Sequence, residues 1–151
     1  RDAHGDRYLR YGEAVLAGRV SRALRMLDGL RAEGEAPVLV HWTLAEDIRG
    51  LKRVKGMGDR GKPLQMALRE ARVWGAKERL FERLVPLLAD HTLAHWVEAA
   101  SICDGLVKGL QHPHWPLDAW DGLKRLALMV TQHTAAPKPA QRLRLALQAS
   151  F

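Results

Sequence analysis

Three groups of residues in this chain have the types and spacing that chemistry requires. Gly56 with Gly61-Lys62 reproduces the G-x-x-x-x-G-K spacing by which a glycine-rich turn cradles phosphates. The next position should carry a hydroxyl for magnesium. Here it is Pro63, which has neither hydroxyl nor N–H, and the turn follows a helix pattern instead of a strand. The plain reading is a connecting loop over 56–62, made mobile by its three glycines. His91 and His95 have the i, i+4 spacing that suits zinc, but Thr92 stands where a metalloprotease carries its Glu, and no third ligand is evident. His112 and His114 share a Pro-rich loop. Cys103 lies in an apolar stripe, where a free thiol acts as a small hydrophobe with nothing beside it to favour a thiolate. No carboxylates pair in a loop or cleft. No catalytic residue, metal or cofactor is expected.

Two further features concern binding. The chain carries 24 Lys and Arg against 17 Asp and Glu, a formal charge of +7. Arg49, Lys52, Arg53, Lys55, Arg60 and Lys62 form the densest basic cluster. They suit phosphate contacts, with Arg49, Lys52, Arg53 and Lys55 as the nucleic-acid candidates. The competing reading is a solvated, arginine-rich helix surface, and it is favoured because no aromatic residues interleave to stack bases. Five tryptophans are many for 151 residues. Trp42, Trp96 and Trp120 fall on apolar stripes and read as core. Trp74 and Trp115 lie in loops beside helix ends, where an aromatic near arginine equally suits an interface.

The elements that must position these residues are helices. Leu (24) and Ala (21) far outnumber Val, Ile and Thr (16 together), and no alternating run supports a strand. The expected fold is a single all-α bundle of about five to seven helices. The spacing predicts helices over about 7–17, capped by Asp6 and broken at Gly18, and over 19–33, stopped at Gly34. A third, from Pro37 to about residue 55, is apolar on more than one face and so belongs at the centre of the bundle. Short helices follow over 63–71 and 76–85. A longer one over 91–110, capped by Asp90, has Leu93, Trp96, Val97, Ala100, Cys103, Val107 and Leu110 as its stripe. The last core helix spans 116–132 with Trp120, Leu123, Ala127 and Val130 inward. Residues 135–139 read as a linker, and the tail from residue 140 has helical propensity. No run of apolar residues is long enough for a membrane span, and one cysteine fits a reducing compartment. The chain lacks a starting Met, as a fragment or processed chain would.

The stretch from Ser21 to Val40 carries Ala23-Leu24, Leu27, Leu30-Arg31, Glu33-Gly34 and Pro37-Val38. This resembles the AL-x-x-L-x-x-LR-x-EG-x-xPV wording of the bacterial DNA polymerase III delta subunit. Arg72-Val73-Trp74 before a short helix, and Trp120, Leu123 and Leu126-Ala127-Leu128 near the end, are similar to the same family, so that the resemblance covers about residues 8–133. It implies a helical collar domain over 8–133, with residues 1–7 as the end of a preceding module and 134–151 as linker and tail. Delta belongs to the pentameric clamp loader that opens the ring-shaped sliding clamp and places it on primed DNA. Partners implied are the delta-prime and gamma/tau subunits, with DNA met through the full assembly. The clamp would be contacted through an N-terminal module that has no counterpart in these residues. Delta does not hydrolyse ATP, so the resemblance implies no enzymatic site here, although the holoenzyme is a DNA-directed DNA polymerase (a nucleotidyltransferase). The implied location is the bacterial cytoplasm, at the nucleoid. Trp42, Arg72, Trp74 and Trp115 are the candidates for subunit contact. The alternative is a stand-alone basic helical domain that binds DNA; a small histidine–metal enzyme has little support in the residues.

Overall fold

In the computed structural model of the chain, residues 3–135 and 139–149 are described; residues 136–138 of the linker expected over 135–139 lie outside them. All regular structure among the described residues is helical: α1 (Ala3–Leu16), α2 (Val20–Ala32), α3 (Pro37–Asp59), α4 (Leu64–Glu70), α5 (Ala76–Leu84), α6 (Asp90–Val107), α7 (Ala119–Thr134) and α8 (Pro139–Ala149). The all-α expectation holds, and the helices number one more than the upper expectation. α8 forms in the stretch read only as having helical propensity, with Leu143 and Leu147 exposed one turn apart.

α3 is the central helix. It packs most extensively on α6, and also on α1, α4 and α7. Val40, Leu44, Ala45, Ile48, Leu51 and Val54 are buried along it. They meet Leu93, Trp96, Ala99, Ala100 and Cys103 of α6, Leu123, Leu126, Ala127 and Val130 of α7, and Tyr11, Val15 and Leu16 of α1 in one contiguous core. The apolar stripes read from the sequence supply this core, because helical positions three and four apart share a face. Cys103 is fully buried, its Sγ 3.5 Å from the Gly122 carbonyl, and burial pushes its thiol pKa up to about 12. Such a thiol stays protonated at neutral pH and is chemically quiet.

Several boundaries differ from the sequence expectation, each for a local reason. α3 runs through Gly56 and Gly58, so the expected mobile loop is the last turns of a helix. Met57 packs partly buried against the core and holds these turns in place. The helix ends at Gly61, whose φ is +91°, with Gly61 N–H donating to Gly58 O (2.9 Å) and Lys62 N–H to Met57 O (3.0 Å). This is the paired-bond termination in which a residue in the left-handed region closes the helix, a role that glycine fills without steric cost. α6 stops at Val107 by the same device at Gly109, which leaves Leu110 outside the helix and 67% exposed instead of on the stripe. Asp90 is the first residue of α6 and not its cap. Asp118, one position before α7, accepts from the Trp120 N–H (2.8 Å) and is the cap there. Gly18 is fixed twice over, because its φ is +72° and an added Cβ would lie 2.2 Å from the Ala135 backbone at the far end of α7.

Candidate partner-binding surface

Trp42 is 61% exposed on α3, although its stripe reads as core. α3 has apolar residues on more faces than its neighbours cover. Leu39 and Trp42 occupy the uncovered one, with Glu46, Arg49 and Arg53 following on the same face at successive turns. Trp74, in the turn between α4 and α5, is 67% exposed. Together with Leu9 of α1, Glu46 and Arg53 of α3 and Arg72 it lines an open groove of about 490 Å³. The structure therefore joins three residues that are distant in the sequence reading: Arg53 from the basic cluster, and Arg72 and Trp74 from the resemblance.

Arg72 has a φ of +59°, the one non-glycine in the left-handed region among the described residues. It terminates α4 as Gly61 terminates α3, with its N–H on Arg69 O (3.1 Å) and Val73 N–H on Leu68 O (2.9 Å). A side chain in this conformation costs about 1 kcal/mol that glycine would avoid. Strain of this kind concentrates at functional sites, and Arg72 lines the groove beside Trp74.

A buried ion pair forms part of the groove wall. Asp47 of α3 is 5% exposed, and its Oδ1 accepts from Lys77 Nζ at 2.6 Å. Oδ2 has no hydrogen-bond partner and faces Gly12 of α1, where an added Cβ would stand 2.9 Å away. Burial pushes the Asp47 carboxyl upward and Lys77 opposes it. Nearby on α3, His41 is buried with Nε2–H donating to Ala100 O (2.9 Å) and Nδ1 unpartnered. Burial holds its pKa below the usual histidine value. Neither residue stands out in the sequence: a His or Asp inside a helical run reads as surface, and only the packing of α1, α5 and α6 around α3 encloses them.

The other candidates are dispersed. Trp115 lies half-buried between α6 and α7, with the Arg125 guanidinium 4.9 Å from its ring centroid; Arg125 Nη1 also donates to His114 O (2.7 Å). Trp115 thus serves local packing and does not line the groove. Trp96 is fully buried and Trp120 half-buried against the core. Within the basic cluster, Arg49 is tied to Glu46 (2.6 Å), Lys55 approaches Asp90 (4.0 Å) and Lys62 pairs with Glu70. Lys52, Arg53 and Arg60 remain exposed without a carboxylate partner among the described residues. His91 and His95 are exposed on α6, and no group of three or more His, Cys, Asp or Glu side chains stands close enough to hold a metal among the described residues. No described helix is long and apolar enough to cross a membrane.

No family model and no curated protein matches the chain. Among solved structures it is similar to the Bacillus subtilis DNA clamp loader delta protein (YqeN). The TM-score is 0.63 at 13% identity, over 85% of this chain and 36% of that one. The likeness is one of fold, and the chain spans about a third of the length of that protein.

Proposed function

We propose that this chain is a helical assembly domain of the clamp-loader delta type, a collar segment that packs against sibling subunits. The observation that carries this reading is the fold shared with a clamp loader delta protein over 85% of the chain. The wording of residues 21–40 points the same way independently. The surface chemistry suits the role: exposed Trp42 and Trp74, and a strained Arg72 on the same groove as Trp74, are residue types that anchor protein interfaces. Such a domain needs no reactive group. The delta-prime and gamma/tau subunits are the partners of this reading, and DNA replication in the bacterial cytoplasm is its setting.

Mixing the chain with delta-prime and gamma/tau on a sizing column tests it. Co-elution is expected, and it should weaken at least about 10-fold in apparent affinity with Trp42→Ala or Trp74→Ala, since a truncated interface anchor costs about 2 kcal/mol. Elution unchanged by the full set of subunits would overturn the proposal. The alternative, DNA binding through the basic part of α3, now rests on Lys52 and Arg53, because carboxylates occupy Arg49 and Lys55.

A further inference from the structure

The largest gathering of unneutralised charge is not in the basic cluster of α3. It lies where α1, α2 and α5 line an open groove of about 480 Å³ that adjoins the Trp74 groove at Glu13 and Ala76. Five arginines line it: Arg10 from α1, Arg19 and Arg22 from the start of α2, and Arg79 and Arg83 from α5. Glu13 is the sole acidic residue among its lining. The side chains of Arg10, Arg19, Arg22 and Arg79 are exposed, with no carboxylate or side-chain hydrogen bond among the described residues, whereas Arg7, Arg31 and Arg49 each face a carboxylate. Arg83 is half-buried and fixed, with Nη1 on Thr134 O (2.9 Å) and Nη2 on Leu16 O (3.1 Å). Arg10 and Arg22 also line a second furrow of about 260 Å³ with Arg7, so the guanidinium strip continues along α1 and α2. Like charges gathered this closely repel one another and raise the cost of folding unless an anion joins them.

We infer that this groove binds the phosphodiester backbone of a nucleic-acid strand without reading its bases. The planar guanidinium fork matches phosphate oxygens in two-point contacts, and the row of forks follows an extended chain of phosphates. The apolar floor is Ala14, Ala17, Ala76 and half-buried Leu80, with no aromatic residue. Without an aromatic face there is no platform for base stacking, so guanidinium–phosphate contacts alone would hold the strand, and such contacts carry no sequence information. Without a deep apolar pocket there is no seat for the side-chain anchors by which peptides dock, which disfavours an acidic peptide as occupant. The inference uses none of Trp42, Arg72 and Trp74, although the arginine groove and the Trp74 groove share Glu13 and Ala76 at their common edge.

The test is fluorescence anisotropy of a labelled oligothymidylate with the full chain, over a range of salt. Arg22→Glu with Arg79→Glu should weaken binding at least about 10-fold, while Arg69→Glu with Lys124→Glu, an identical change in charge at exposed positions of α4 and α7, should weaken it less than about 3-fold. The milder Arg22→Gln with Arg79→Gln, with an unchanged melting temperature as the check on folding, should lower the salt slope by about 1.4, or about 0.7 for each phosphate no longer neutralised. Equal weakening in the two charge-reversed variants would reduce the effect to net charge and overturn the inference. Tight binding of polyglutamate with no binding of the oligonucleotide would overturn it in favour of an acidic partner.

Discussion

Arg72 shows how a single residue can carry a cost that its own fold does not require. Glycine in its place would end α4 equally well, so Arg72→Gly is expected to raise stability by up to about 1 kcal/mol in thermal melts, while association with sibling subunits weakens on the sizing column. A loss of stability instead would mean that the arginine serves the fold. His41 makes a second prediction at this scale. Its pKa is lowered by burial, with the bond to Ala100 O pulling the other way, and protonation would place a second N–H on Nδ1 where no acceptor waits. The unfolded chain therefore binds this proton more readily than the folded one. Its contribution is fully present above the ordinary histidine value of 6.5 and is lost as the pH falls below it. Asp47, raised by burial, acts in the opposite direction, its effect growing as the pH rises above 3.8. Melting temperature should drop on acidification below about pH 6.5, and His41→Gln should flatten that drop. An unchanged slope would assign it to other groups.

At the scale of elements, α3 is the helix whose length the sequence reads short. Three glycines over 56–61 look like a loop because each costs about 1 kcal/mol in a helix interior. The turns form nonetheless, since Met57 adds apolar contact and Gly61 supplies a closing geometry that Gly56 is not asked to make. Gly58 is helical, exposed and has open space around its Cα. Gly58→Ala should therefore stabilise the protein by about 0.5–1 kcal/mol, read from denaturant unfolding. A loop over these residues would show no such gain. The same reasoning explains Trp42: periodicity reports that a face is apolar but not whether another helix covers it.

For the whole molecule, the ends of three helices are gathered by one side chain. Arg83 of α5 donates to the last carbonyls of α1 and α7, groups that a helix end leaves without partners. Thr134 Oγ1 adds a bond to Val15 O (2.9 Å) at the same junction. Arg83→Ala should cost about 2 kcal/mol in unfolding free energy, as expected for hydrogen bonds to a charged group, and Arg83→Lys should recover only part of it because an ammonium cannot span both carbonyls. A neutral result would show that water replaces the guanidinium there. The junction also supports the arginine groove, which shares Arg83, so the groove variants leave this residue untouched.

The amino-acid sequence alone determined the helical class, most helix positions and the core faces of α2, α6 and α7. Those follow from residue type and from the period of 3.6, both local properties. It also marked Arg72 and Trp74, through a resemblance carried by neighbouring residues. The tertiary structure alone decided which apolar faces stay uncovered, that His41 and Asp47 are enclosed, and that Arg49, Lys55 and Lys62, half of the basic cluster, face carboxylates of α3, α6 and α4. It also gathered Arg10, Arg22 and Arg79 from three helices into one groove. Charge neutralisation and burial depend on contacts between residues far apart in the chain, and no local pattern encodes those contacts.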